Sequence, residues 1–195
     1  MIFILKMYTI LLETFRPTIV VVTGPSGTGK TMQACKSGQK MIREGRYPNG
    51  LVLTRPAISA ANENHGFLPG TLDKKMKPWI QPSLDYLGDV KKVEVCPLAF
   101  MRGRTFEKSW IIADEMQNST REQMLMLLTR VGYGSKLVIC GDTDQTDLPY
   151  GSVSGLTDLL NRMKPSDEIK HITLDNVRRH PVVSEVLKMY TEHKT

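Results

Sequence analysis

A chain of 195 residues suits one domain, and a two-domain division would leave each half small. Its 41% hydrophobic and 24% charged residues are ordinary for a soluble globular protein, with no repeat or low-complexity segment. The net charge of +6 fits a polyanionic partner without requiring one, because a nucleotide alone would use that charge and many basic proteins simply stay soluble by it.

The first segment, Met1 to Tyr8, is apolar but interrupted by Lys6 and too short to span a bilayer. No small-residue cleavage site follows it, which argues against a signal peptide. An edge strand or a helix packed on the core is expected, with residues 1–17 an extension of a domain formed by 18–195. Ile19-Val20-Val21-Val22 then reads as a buried parallel strand. It runs into Gly24-Pro25-Ser26-Gly27-Thr28-Gly29-Lys30-Thr31, which fills the phosphate-binding pattern G-x-x-x-x-G-K-[ST]. Glycines let successive backbone N–H groups close around a phosphate chain. The helix that follows, marked by Ala34, Cys35, Gly38, Met41 and Ile42, adds its N-terminal dipole. Lys30 can reach the outer phosphates, and the Thr31 hydroxyl can ligate Mg²⁺.

Three further apolar runs look like strands of the same sheet: Leu51–Leu53, Trp110–Ala113 and Leu137–Cys140, with a fifth strand at Ile169–Leu174. Helical patterns between them predict an α/β fold. Ser119 and Glu122 read as a capping-box pair before a helix marked by Met124, Leu125, Leu127, Leu128 and Val131. Cys35, Cys96 and Cys140 are odd in number and lack a C-x-x-C pair, which argues against a disulfide framework or a zinc site and favours a reducing cytoplasm.

The strand ends carry the chemistry. The second run ends in Thr54-Arg55, the third in Asp114-Glu115, the fourth in Gly141-Asp142-Thr143-Asp144-Gln145. Open α/β sheets bind ligands beyond the carboxyl ends of their strands, so these residues point to one crevice. Asp114 is placed to hold Mg²⁺, and Glu115 to polarise a water for attack on a γ-phosphate. The plainer alternative for this pair is a helix cap or a solvated turn. Gln145 can sense a γ-phosphate and position water through its amide; its alternative is a turn built on Gly141, Asp142 and Asp144. Arg55, Lys74, Lys75, Lys77 and Trp79 mix cations with an aromatic, as a single-stranded nucleic acid would require, although a solvated helix face reads equally well. His65 and His180 have no metal-ligand spacing.

Taken together the chain resembles the PhoH family of ATPases, whose nucleotide core is similar to that of superfamily 1 helicases. The resemblance rests on Gly24–Thr31, Leu53-Thr54-Arg55-Pro56, Gly66-Phe67-Leu68-Pro69-Gly70 and Met101-Arg102-Gly103-Arg104-Thr105-Phe106. It continues through Asp114-Glu115-Met116-Gln117-Asn118, Leu128-Thr129-Arg130-Val131-Gly132, Gly141–Gln145 and Val177-Arg178-Arg179-His180-Pro181, in order over roughly residues 18 to 190. It implies a single RecA-like P-loop NTPase domain, a parallel sheet with helices on both faces. It further implies ATP at Gly24–Thr31, Mg²⁺ at Thr31 and Asp114, water activation by Glu115 and a γ-phosphate contact from Gln145. Members look like ring-forming ATPases, such as hexamers, directed at RNA or single-stranded DNA, and no membrane is implied.

Two departures shape the expectation. Few residues precede the phosphate loop, leaving Tyr8 as the candidate to stack on a base. One core domain supplies half of a helicase-type site, so an arginine from a neighbouring subunit is expected to complete it, with Arg178 or Arg179 ahead of Arg102 and Arg104. The competing readings are a small-molecule phosphotransferase and a slowly hydrolysing nucleotide-dependent switch.

Overall fold

The computed structural model describes residues 2–56, 81–149, 151–175 and 182. The chain enters through helix α1 (Ile2–Glu13), strand β1 (Ile19–Thr23), helix α2 (Lys30–Arg43) and strand β2 (Leu51–Thr54). Residues 81–87 form helix α3. Strands β3 (Val93–Val95) and β4 (Trp110–Ala113), helix α4 (Arg121–Leu128), strand β5 (Lys136–Gly141), helix α5 (Gly155–Arg162) and strand β6 (Ile169–Thr173) complete the described order. The six strands form one sheet in the order β3-β2-β4-β5-β1-β6, and every pairing is parallel.

Burial follows the pleat. Val20, Val22, Leu53, Trp110, Ile112 and Val138 face one apolar cluster, joined by Tyr8, Ala34 and Leu87 from α1, α2 and α3. Val21, Val52, Ile111, Ala113, Leu137 and Ile139 face the other, joined by Met124, Leu127 and Leu156 from α4 and α5. Strands buried on both faces need near-continuous apolar runs, which is what made four of them readable. The expected α/β domain, a parallel sheet covered by helices on both faces, is therefore what the chain forms.

Some local expectations change. The helix after β4 is capped one residue later than the Ser119–Glu122 reading. Thr120 Oγ1 accepts from Gln123 N at 3.2 Å, and Gln123 Oε1 accepts from Thr120 N at 2.9 Å. Ser119 is buried and committed elsewhere, its hydroxyl donating to Met116 O at 2.7 Å to close the preceding turn. Two adjacent hydroxyl residues offered both registers, and packing took one. Leu125, counted with the core face, is 62% exposed.

The N-terminal segment is a helix rather than an edge strand. Tyr8 and Leu12 are fully buried in the core, and the Tyr8 hydroxyl donates to Lys30 O at 3.1 Å, on the first residue of α2. This corrects the expected stacking role of Tyr8. A ring with no exposed surface cannot stack on a base without leaving the core. Its tie to Lys30 braces the start of α2 instead.

Lys136 anchors the other end of α1. It is fully buried, and its ammonium donates to Leu11 O at 2.8 Å, in the last turn of α1, and to Thr14 O at 2.9 Å, just past it. Burial pushes its pKa down from the ordinary 10.5 to about 8. Between those values the unfolded chain binds the more protons, so this group makes stability rise with pH across that window. Urea titrations from pH 7.5 to 10 are expected to show the wild type gaining on Lys136→Met, with a slope of at most about 1.4 kcal/mol per pH unit. A gap that stays constant or narrows would refute the titration of Lys136 in this range.

Candidate active site

The loop after β1 is built on backbone that only glycine supplies. Gly24 sits at φ +140°, and a Cβ there would lie 2.0 Å from Leu174 O, the residue just past β6. Gly29, at φ 89°, is the left-handed residue from which α2 starts. Between them the Thr28 hydroxyl donates to Pro25 O at 2.9 Å and closes the turn. The Lys30 ammonium lies back over the loop, donating to Gly24 O at 2.5 Å and Pro25 O at 2.9 Å.

Strands β4, β5 and β1 are consecutive in the sheet, so the segments that follow them are neighbours in space. They enclose a cavity of about 190 Å³. Its lining contains Ser26, Gly27, Gly29, Lys30 and Thr31 from the loop, Asp114 and Glu115 after β4, and Asp142 and Gln145 after β5. Among the other loop residues, Thr28 is buried beneath the loop while Pro25 is exposed. The sequence-predicted site residues of three strand ends thus meet in one place. Arg178 and Arg179 lie outside the described residues, as do His65, His180, Lys74, Lys75, Lys77 and Trp79.

Thr31 Oγ1 donates to Asp114 Oδ1 at 2.8 Å, bringing two hard oxygen donors together at the cavity floor. Burial, and then the neighbouring charge of Glu115, push the Asp114 pKa up. The Thr31 hydroxyl, the Arg55 charge and the Glu115 N–H pull it the other way. Arg55 acts from the next strand over, since β2 pairs with β4 through Thr54 and Ala113. Arg55, read from the sequence as a nucleic-acid contact, thus lies close enough to Asp114 for its charge to act on that carboxylate.

Glu115 has a left-handed backbone, φ 54°, with its N–H donating to Asp114 Oδ1 at 3.0 Å. Its side chain is held by Gln117, whose Nε2 donates to Glu115 Oε2 at 2.6 Å. The same amide accepts from Asp142 N at 3.1 Å. Asn118 and Asp147 exchange two bonds, Asn118 Nδ2 to Asp147 Oδ2 at 3.2 Å and Asp147 N to Asn118 Oδ1 at 2.8 Å. Sequence reasoning quoted Gln117 and Asn118 but gave them no role; their signal is two polar residues that stay buried directly after a strand end. It also missed Tyr86, which lines the cavity from α3.

Neither Arg102 nor Arg104 lines this cavity. Arg104 is engaged by Glu94 at 2.5 and 3.0 Å and sits 4.5 Å from the centre of the Phe106 ring. Arg102 is exposed.

Comparison with known proteins places this arrangement. The family model described as PhoH-like protein matches residues 6–191. A PhoH-like protein of Bacillus subtilis is 42% identical over 189 residues, covering 90% of this chain and 59% of its own length. One of Mycobacterium tuberculosis is 41% identical over 191 residues, covering 91% and 54%. Protein PhoH of Escherichia coli is 37% identical over 166 residues, covering 77% and 46%. The chain thus spans roughly half to three fifths of the length of these relatives. Among solved structures, the Pif1 helicase of Candida albicans aligns over 97% of this chain and 42% of its own, with a TM-score of 0.47 and 17% identity. The phosphate loop, the Asp114-Glu115 strand end and a family match along nearly the whole chain lead to one conclusion: this protein belongs to the PhoH-like family.

Proposed function

We propose that this chain is a Mg²⁺-dependent ATPase whose turnover is coupled to RNA or single-stranded DNA. One observation carries the reading: a single cavity joins the phosphate loop to Thr31, Asp114, Glu115 and Gln145. The loop amides and the start of α2, 14 residues long, favour the phosphate chain of ATP. Lys30 leaves the loop carbonyls for the β- and γ-phosphates.

Thr31 and Asp114 fit Mg²⁺, which keeps most of its waters and takes only one or two protein oxygens. When bound it supplies charge neutralisation on the phosphate oxygens. Glu115 accepts the proton of the attacking water, and Gln145 contacts the γ-phosphate. An arginine from a neighbouring copy, Arg178 or Arg179, meets the charge of the transition state across a head-to-tail ring interface.

A cytoplasmic setting accords with three buried, free cysteines, of which Cys35 is pushed up to about 12 by burial. No helix among the described residues is long and apolar enough to cross a membrane. The test is an ATPase assay with and without single-stranded RNA and DNA across salt concentrations. Mg²⁺-dependent turnover, stimulated by one of the two and fading as salt rises, is expected. Turnover indifferent to both at low salt would remove the nucleic-acid half of the proposal.

A further inference from the structure

We propose that Gln117 is a positioning residue that makes Glu115 and the Gln145 loop move as one unit, so that contact with the γ-phosphate and orientation of the attacking water are a single event. This rests on the ATPase reading above. The amide can lie only one way. Asp142 N–H can only donate, so Gln117 Oε1 must face it, at 3.1 Å; Nε2 then faces Glu115 Oε2, at 2.6 Å. Both ends of one side chain are thereby committed, one to the water-activating carboxylate and the other to the backbone that begins the 142–147 loop.

The strut is rigid by construction. Gln117 is 3% exposed and its bond to Asp142 N is buried, so water has little access to its amide, while Glu115 opens on the cavity. It packs on Gly141, where a Cβ would lie 2.9 Å from Gln117 Oε1 and 3.2 Å from Gln117 N. The far end of the loop is tied to the same turn, through the reciprocal Asn118–Asp147 bonds and Thr146 Oγ1 donating to Gln117 O at 3.4 Å. Gln145 therefore sits on a segment pinned at both ends to residues 117 and 118. A shift of that segment on meeting phosphate pulls on Glu115 through Gln117.

A double-mutant cycle of Gln117→Leu and Glu115→Gln tests this by single-turnover hydrolysis, with titration of a non-hydrolysable ATP analogue alongside. Gln117→Leu alone is expected to lower the hydrolysis rate by about 10- to 100-fold, with analogue affinity held within about threefold. In the Glu115→Gln background it should cost nothing further, because its effect passes through that carboxylate. Unchanged hydrolysis in Gln117→Leu, weakened analogue binding, or an equal loss in both backgrounds would overturn the proposal. Full activity in Glu115→Gln alone would instead overturn the ATPase mechanism beneath it. Should Gln117→Leu not give a cooperative thermal melt, Gln117→Glu takes its place in the same cycle. It keeps the shape and the acceptor for Asp142 N–H, sets a carboxylate against Glu115, and is read by the same criteria.

Discussion

Glu115→Gln is expected to lower ATP turnover by about 10²- to 10⁴-fold while leaving nucleotide affinity within a few-fold. The substitution removes basicity and little else. A glutamine at this position still offers Oε1 to the Gln117 amide, now at 2.6 Å from the carboxylate, so the side chain keeps its anchor. The backbone N–H of residue 115 still reaches Asp114 Oδ1, and the Thr31–Asp114 pair is untouched. Loss of the 115 charge also removes one of the causes that push the Asp114 pKa up, which leaves that carboxylate the readier to serve as a metal ligand. Binding and turnover should therefore separate. Single-turnover hydrolysis with a fluorescent-nucleotide titration measures both. Unchanged turnover would reject Glu115 as the base; equal loss of binding would mean that the residue is structural.

That separation is traceable to the sequence only in part. Ile19–Val22, Trp110–Ala113 and Leu137–Cys140 announced themselves because strands buried on both faces have no alternation to disguise them. Val93–Val95 did not, being three residues long at the sheet edge and only partly buried. The loop, Asp114, Glu115 and Gln145 could be nominated, and the fold gathers them at one cavity, because the chemistry proposed for them needs particular residue types beyond particular strands. Gln117 escaped for the opposite reason. The role proposed for it rests on two hydrogen bonds to groups 2 and 25 positions away, a geometry that exists only once β4 and β5 are side by side. Tyr8 was misread by a similar route: an aromatic near a nucleotide motif suggests stacking, but the helix that carries it turns the ring into the core.

Lys30→Ala carries the other large effect, a loss of ATP affinity of about 10- to 100-fold, and it is expected with little change in stability. In the described state the ammonium bonds the carbonyls of Gly24 and Pro25, and it is only partly buried. Removing it leaves Pro25 O on an exposed residue, where water replaces the lost donor, so any stability cost is confined to the one bond to Gly24 O, on a buried residue. The turn itself persists through Thr28 Oγ1 to Pro25 O, and α2 keeps its brace because Tyr8 bonds the backbone carbonyl of residue 30, which an alanine retains. What disappears is the one cation among the described residues that line the cavity, and with it the charge-assisted contact proposed to the outer phosphates. The loss should therefore be greater for ATP than for AMP, since the missing group acts on the β- and γ-phosphates. Titration with both nucleotides and a thermal melt of the same protein checks this. Equal weakening of ATP and AMP, or a melting shift comparable to the binding loss, would mean that Lys30 supports the loop rather than its ligand.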